Sequence, residues 1–183
     1  KWRQQPQHPG GYVSDAGVHY LDAVRRVAGE IEQVQAYGQA TRPILGSYDT
    51  AIVNMRLAGG IIGQMTLSWA TTESAGQSFE VFGVDGSIVG RRLGSDDGEI
   101  ALLRPGEPAE REPDTGTAGF IEEMVDFHRV LTEGKTPDMS LREAYIDFAA
   151  AVAVVRAIET SAVIDFREFL AAQGGGASQL QHS

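Results

Sequence analysis

The run Gly10-Gly11-Tyr12-Val13-Ser14-Asp15-Ala16-Gly17-Val18-His19-Tyr20-Leu21-Asp22 holds the residues best suited to chemistry. Asp15 and His19 are four positions apart, so on a helix they share a face one turn from each other. Asp22, three positions further, stays near that face. A carboxylate beside an imidazole orients the ring and stabilises its protonated form, which makes His19 a candidate general base or acid with Asp15 as its partner. A helix starting near Asp15 puts His19 in its first turns, where the dipole disfavours a cation and a neutral ring can accept a substrate proton. The two glycines ahead of it would let a substrate approach the backbone closely. A plainer alternative stays open, in which Asp15 caps the helix and His19 is a partly buried polar residue. Asp15, His19 and Asp22 could also hold a divalent ion. No further histidine lies nearby, and no metal site is assigned.

The other histidines are poorer candidates. His8 sits in a polar, proline-bearing leader, His128 in an acidic helix with Glu122, Glu123 and Asp126, and His182 in a C-terminal tail. The sequence has no Gly-x-Ser-x-Gly elbow, no phosphate loop and no Gly-x-Gly-x-x-Gly. The only glycine cluster outside the first run that invites comparison, Gly174 to Gly176, has no helix pattern after it. The chain contains no cysteine, which excludes disulfides, thiolate zinc sites and a cysteine nucleophile. A formal charge of −10 argues against nucleic acid and anionic membrane surfaces as partners. No stretch is long and apolar enough to read as a membrane span, and no charged-then-apolar leader opens the chain, so the expected location is the cytoplasm.

The elements that must position the Asp15/His19 pair follow from periodicity. A helix is expected from about Asp15 to Ala28, with Leu21, Val24 and Val27/Ala28 on its apolar side and Gly29 as its stop. From about 31 to 104 the pattern alternates. Val53, Met55 and Leu57 share one strand face, Gly59-Gly60 makes a hairpin, and Met65, Leu67 and Trp69 follow on the return strand. A second hairpin turns at Asp85-Gly86 between Phe79–Phe82 and Ser87–Val89, and Glu99 to Leu103 is a further strand. Residues 105–118, with the acidic run Glu107 to Asp114, read as an exposed loop. One helix is expected from about Ala118 to Glu133, carrying Ile121, Met124, Val125 and Leu131. Another begins at Ser140, whose Ser-Leu-Arg-Glu run is a capping box, and continues through Phe148, Val152, Val155 and Ile158. A short strand at 163–166 closes the domain.

The expected architecture is therefore α+β: an open, mostly antiparallel sheet with helices packed on one face. The domain should span residues 1–171, with a disordered tail over 172–183. Ile52 and Ile62 fall on the sheet's other face, which is covered by a partner subunit or simply wet.

These residues resemble a known family. Trp2-Arg3, Gly10-Gly11, Asp15, Gly17, His19, Asp22 and Gly29 are similar to the start of the C-terminal domain of the glucose–fructose oxidoreductase/inositol dehydrogenase/MocA oxidoreductases. That domain opens on a Gly-rich stretch and an Asp-x-Gly-x-His-x-x-Asp helix. Phe79 to Ile88, Phe120 to Ser140, the Ala-rich final helix and Val163-Ile164 match later segments in the same order, and the likeness covers about residues 1 to 170. It implies that His19 acts on the substrate hydroxyl or carbonyl. Arg3, Gly11, Tyr12 and Asp15 would line the substrate pocket beside it. It also implies an NAD- or NADP-dependent enzyme for sugars, polyols or related cyclic substrates. A homodimer or homotetramer would form through the open sheet.

The chain departs from the family at two points: the Rossmann domain that should carry the dinucleotide fingerprint is not found, and neither is the Glu-Lys-Pro lysine. No cofactor is therefore expected to bind this chain alone, and by itself it is not expected to be active. Two other readings remain. One is a stand-alone, non-redox sugar-binding or dimerisation module, and the other a nucleotide-independent hydrolase or lyase using Asp15 and His19.

Overall fold

A computed structural model describes residues 10–74, 76–93, 97–114 and 119–173. The chain forms two compact units, residues 1–71 with 139–183 and residues 72–138. Both are α+β in makeup with open antiparallel sheets, as the pattern of alternation requires.

The first unit contains helix α1 (Tyr12–Ala28) and strands β1 (Ile31–Gln39), β2 (Thr50–Leu57) and β3 (Ile62–Ser68). The strands between these and the last helices belong to the second unit, which supplies β4 (Gln77–Phe82), β5 (Ser87–Leu93), β6 (Glu99–Leu103), β7 (Glu110–Pro113) and helix α2 (Phe120–Glu133). Helix α3 (Leu141–Thr160), strand β8 (Ile164–Asp165) and helix α4 (Phe166–Ala172) complete the first unit.

In the first unit the sheet order is β3-β2-β1-β8, and every neighbouring pair is antiparallel. The alternation expected of β2 holds residue by residue: Ala51, Val53, Met55 and Leu57 are buried, while Ile52, Asn54 and Arg56 are exposed. Met65 and Leu67 extend the same inner face on β3, and Val34 and Ala36 on β1. Helices α1 and α3 lie on this face, and α4 packs against β1. Much of α3's buried stripe is alanine (Ala149, Ala150, Ala151, Ala153 and Ala157), with Val154 and Val155. Small side chains let its backbone come close to the sheet and to α1. Phe148, expected on its core side, is exposed instead. Ser140 caps α3 by accepting from the Glu143 N–H at 3.1 Å, as the capping box requires.

Three expectations are corrected in the second unit. Its strands form a separate sheet of order β4-β5-β6-β7 where one continuous sheet was expected, because the chain bends out of the strand path after Ser68. The acidic run read as a loop contains β7, which pairs antiparallel with β6. Arg104 to Glu110 and Arg111 to Glu99 are opposite-charge pairs that offset the poor strand propensity of this segment. Helix α2 is amphipathic as expected, but Ile121, Met124, Val125 and Leu131 are exposed. Residues 174–183 of the expected tail lie outside the described residues, whereas Ala172 is the last residue of α4.

Candidate active site

Gly10 and Gly11 let the chain enter α1. Their φ angles are 84° and 53°, in the left-handed region that favours glycine. A Cβ on Gly10 would meet Val155 Cγ2 of α3 at 2.2 Å. Glycine at position 10 is thus demanded by helix packing, which is a different use from the close substrate approach read from sequence. Gly11 is the N-cap, and the Gly11 carbonyl accepts from the Ser14 hydroxyl at 3.1 Å.

The helix therefore begins three residues before Asp15. Asp15 is an interior residue of the first turns and not the cap, which removes the capping alternative for it. His19 is exposed, not partly buried. Its place is the third turn, beyond the reach of the N-terminal dipole, whose field falls off within the first turn. Val13, Ser14, Gly17, Leu21 and Arg25 form the buried side of α1. At 100° per residue, Tyr12, Asp15 and His19 form a stripe on the opposite side. Asp15 is half-buried and His19 open to solvent. Asp22 lies near the same side of α1, and its carboxylate accepts from Arg26 Nε at 2.7 Å. Among the described residues no group of three or more acidic or histidine side chains is placed to hold a metal ion. Arg3 and His8 lie outside the described residues, as does His182. His128 is exposed on α2, in the other unit.

Two networks position α1 and the strand end beside it. Arg25 is buried and bonded to Asp147 at 2.5 Å, to Glu143 at 2.8 Å and to both oxygens of Glu30 at 2.9 and 3.0 Å. Burial disfavours the charge on Arg25, but the hydrogen bonds it donates to Glu30, Asp147 and Glu143 outweigh this and raise its pKa further. Asp147 is pushed up by burial, with Asp22 and Glu143 adding like charge, more than Arg25 pulls it down. The second network centres on Asp49, which is fully buried. Its carboxylate accepts from the Thr41 N–H at 3.0 Å, the Arg42 N–H at 2.6 Å and the Thr50 hydroxyl at 3.0 Å. Burial pushes the Asp49 carboxyl up, yet these bonds, led by the Arg42 and Thr41 amides, hold it below its ordinary value. Just past β3, the Trp69 ring packs against Tyr12 with centroids 4.6 Å apart and planes at 46°.

The chain is similar to known proteins along most of its length. Residues 1–89 match the model of the GFO/IDH/MocA C-terminal domain. The likeness is to that family. An uncharacterised protein of Saccharomyces cerevisiae is 34% identical over 142 residues, covering 72% of this chain and 40% of that protein. A 1,5-anhydro-D-fructose reductase of Ensifer adhaerens is 27% identical over 164 residues, covering 87% and 49%. The chain thus spans about half or less of the length of these curated relatives. An oxidoreductase structure from Thermotoga maritima superposes with a TM-score of 0.77 at 29% identity, covering 93% of this chain and 48% of that one. A levoglucosan dehydrogenase in complex with NADH superposes with a TM-score of 0.76 over 91% of this chain and 53% of its own, and at 20% identity it shares the fold.

Sequence reasoning missed Arg25, Asp147, Asp49 and Trp69 as residues that anchor α1 and the strand ends beside it. Arg25 has the spacing of an ordinary basic residue in a helix's last turn, and its burial partner is far along the chain. Asp49 had a usable signal, since Asp at the foot of a strand after Gly-Ser-Tyr suits backbone capping.

Proposed function

We propose that this chain is the substrate-side domain of an NAD(P)-dependent oxidoreductase acting on a sugar, a polyol or a related cyclic compound, with His19 as general acid or base and Asp15 as its partner. The observation that carries this reading is the stripe of Tyr12, Asp15 and His19 on the outer face of a helix whose inner face is anchored in the core. The relatives support it: one is a 1,5-anhydro-D-fructose reductase, and a structural neighbour is a levoglucosan dehydrogenase holding NADH.

In this reading the dinucleotide is held outside this chain. No Gly-x-Gly-x-x-Gly occurs in the sequence, and all strand pairs among the described residues are antiparallel, so no strand–helix–strand unit offers a phosphate cradle. The chain's own part is proton handling. A nitrogen of His19 takes the proton of a substrate hydroxyl or returns one to a carbonyl oxygen, and Asp15 stabilises the protonated ring. Gly11, Tyr12 and Arg3 complete the substrate contacts in this reading. Tyr37, Ile52 and Ile62, on the outer face of the first sheet, would bury against a second copy in a homodimer or homotetramer.

The deciding experiment supplies the full-length protein with NAD or NADP and a panel of cyclic sugars and polyols, following absorbance of the reduced nicotinamide. Turnover that His19→Ala removes is expected. A full-length protein that oxidises or reduces none of them with either nucleotide rejects the reading.

A further inference from the structure

Trp69 combines exposure with restraint. Its side chain belongs to a residue 37% exposed, yet the backbone around it is bonded on every side. The Trp69 N–H donates to the Asp49 carbonyl at 2.8 Å, and the Ala70 N–H donates to the Ser68 hydroxyl at 3.1 Å. Arg42 donates from Nε to the Ala70 carbonyl and from Nη2 to the Thr71 carbonyl, each at 3.2 Å. The Arg42 backbone is itself held by the buried Asp49 carboxylate. A backbone held in this way, with the ring packed on Tyr12, leaves little freedom to lose when a ligand settles on it.

Its neighbour ties it to the candidate site. Tyr12 meets the indole at a 46° tilt, and Tyr12 is also the first residue of the stripe that continues through Asp15 to His19. A rise of 1.5 Å per residue separates Tyr12 from His19 by about 10 Å along the helix axis, room for one six-membered ring with its hydroxyls. A pyranose ring has two chemistries: apolar C–H faces and a polar hydroxyl edge. An indole packed on Tyr12, the first residue of a stripe that goes on to a carboxylate and an imidazole, offers a partner for each. An open-chain polyol has no rigid apolar face and must freeze its rotors to imitate one.

We infer that Trp69, braced by Tyr12, is a stacking platform for the apolar face of a pyranose-type ring and makes the site prefer cyclic over open-chain substrates. This rests on the reading that the outer face of α1 carries a sugar site. It differs from a purely structural role, in which Trp69 only covers the edge of the core.

The test is equilibrium binding to the full-length protein without nucleotide, by calorimetry, using 1,5-anhydro-D-glucitol and D-glucitol, which differ by closure of the ring. Trp69→Leu is expected to weaken the cyclic probe about tenfold and leave the open-chain probe unchanged, with Trp69→Phe retaining most of the affinity. Ligand NMR on the unmodified protein gives a second readout that needs no variant: ring C–H protons of the cyclic probe should move upfield on binding. Absence of that movement, equal loss for both probes, or no binding of the cyclic probe overturns the platform. Failure of the redox reading looks different: the cyclic probe binds through Trp69, yet no nucleotide-dependent turnover occurs.

Discussion

Arg25 of α1 and Asp147 of α3, 122 positions apart in sequence, meet at 2.5 Å with both side chains 4% exposed. This pair sets how α1, with Asp15 and His19, lies on the core. Removing one partner of a buried pair leaves an uncompensated charge, so Arg25→Ala should destabilise by about 3–5 kcal/mol in urea unfolding. Burial has already raised the Asp147 carboxyl, and losing Arg25 raises it further. A raised folded-state pKa adds stability at low pH that is lost as pH rises through it. The Arg25→Ala deficit should therefore be smaller at acid than at neutral pH, and a deficit that grows on acidification would contradict this account.

The proposed role of His19 predicts that His19→Ala in the full-length protein lowers kcat by about 10²–10⁴-fold, the usual contribution of a positioned acid–base group. The melting temperature should stay within experimental scatter, because His19 is exposed. Asp15→Asn should also lower kcat, since an amide cannot stabilise a protonated ring. With Gly11 as the N-cap, it removes no cap. Kinetics measured beside thermal unfolding checks both, and an unchanged kcat for His19→Ala would withdraw the assignment.

Asp49→Ala leaves the Thr41 and Arg42 amides without their acceptor and should destabilise by about 3 kcal/mol. The pH dependence has a definite sign. A lowered folded-state pKa means the contribution is present above the ordinary value of 3.8 and lost as pH falls through the folded value. The stability gap between the protein and Asp49→Asn should be flat near neutrality and close below 3.8. Chemical denaturation across that range is the measurement.

Gly10→Ala places a methyl 2.2 Å from Val155 Cγ2 at a φ of 84°. Overpacking and backbone strain together should cost about 2–5 kcal/mol. Adding Val155→Ala should recover the overpacking part and leave the backbone part, a coupling that a double-mutant cycle reads directly.

The outer sheet face carries Tyr37 at 65%, Ile52 at 42% and Ile62 at 77% exposure, and Tyr37 lies directly opposite Ile52 in the register. Light scattering of the full-length protein should show a dimer or tetramer, and Ile52→Arg with Ile62→Arg should shift it toward monomer. A wild-type monomer at high concentration would remove the interface.

The local elements of this protein were legible in its residues because each is written in contacts of short range. The alternation of Ala51 to Leu57 fixes which side of β2 is dry, Ser140 and Glu143 close a capping box three residues apart, and Asp15 and His19 share a face wherever a helix passes through them. Even so, the start of α1 was misplaced by three residues, because the chain enters it through left-handed Gly10 and Gly11, and the space at Gly10 is taken by Val155 of another helix. Only the tertiary structure decided that Arg25 is buried, that Trp69 leans on Tyr12, that Glu110 to Pro113 pairs as a strand, and that the apolar side of α2 stays uncovered. Periodicity and turn chemistry specify a segment's own shape and which side of it is apolar. Which distant surface that side meets depends on how the whole chain closes, and no window of neighbouring residues contains that information.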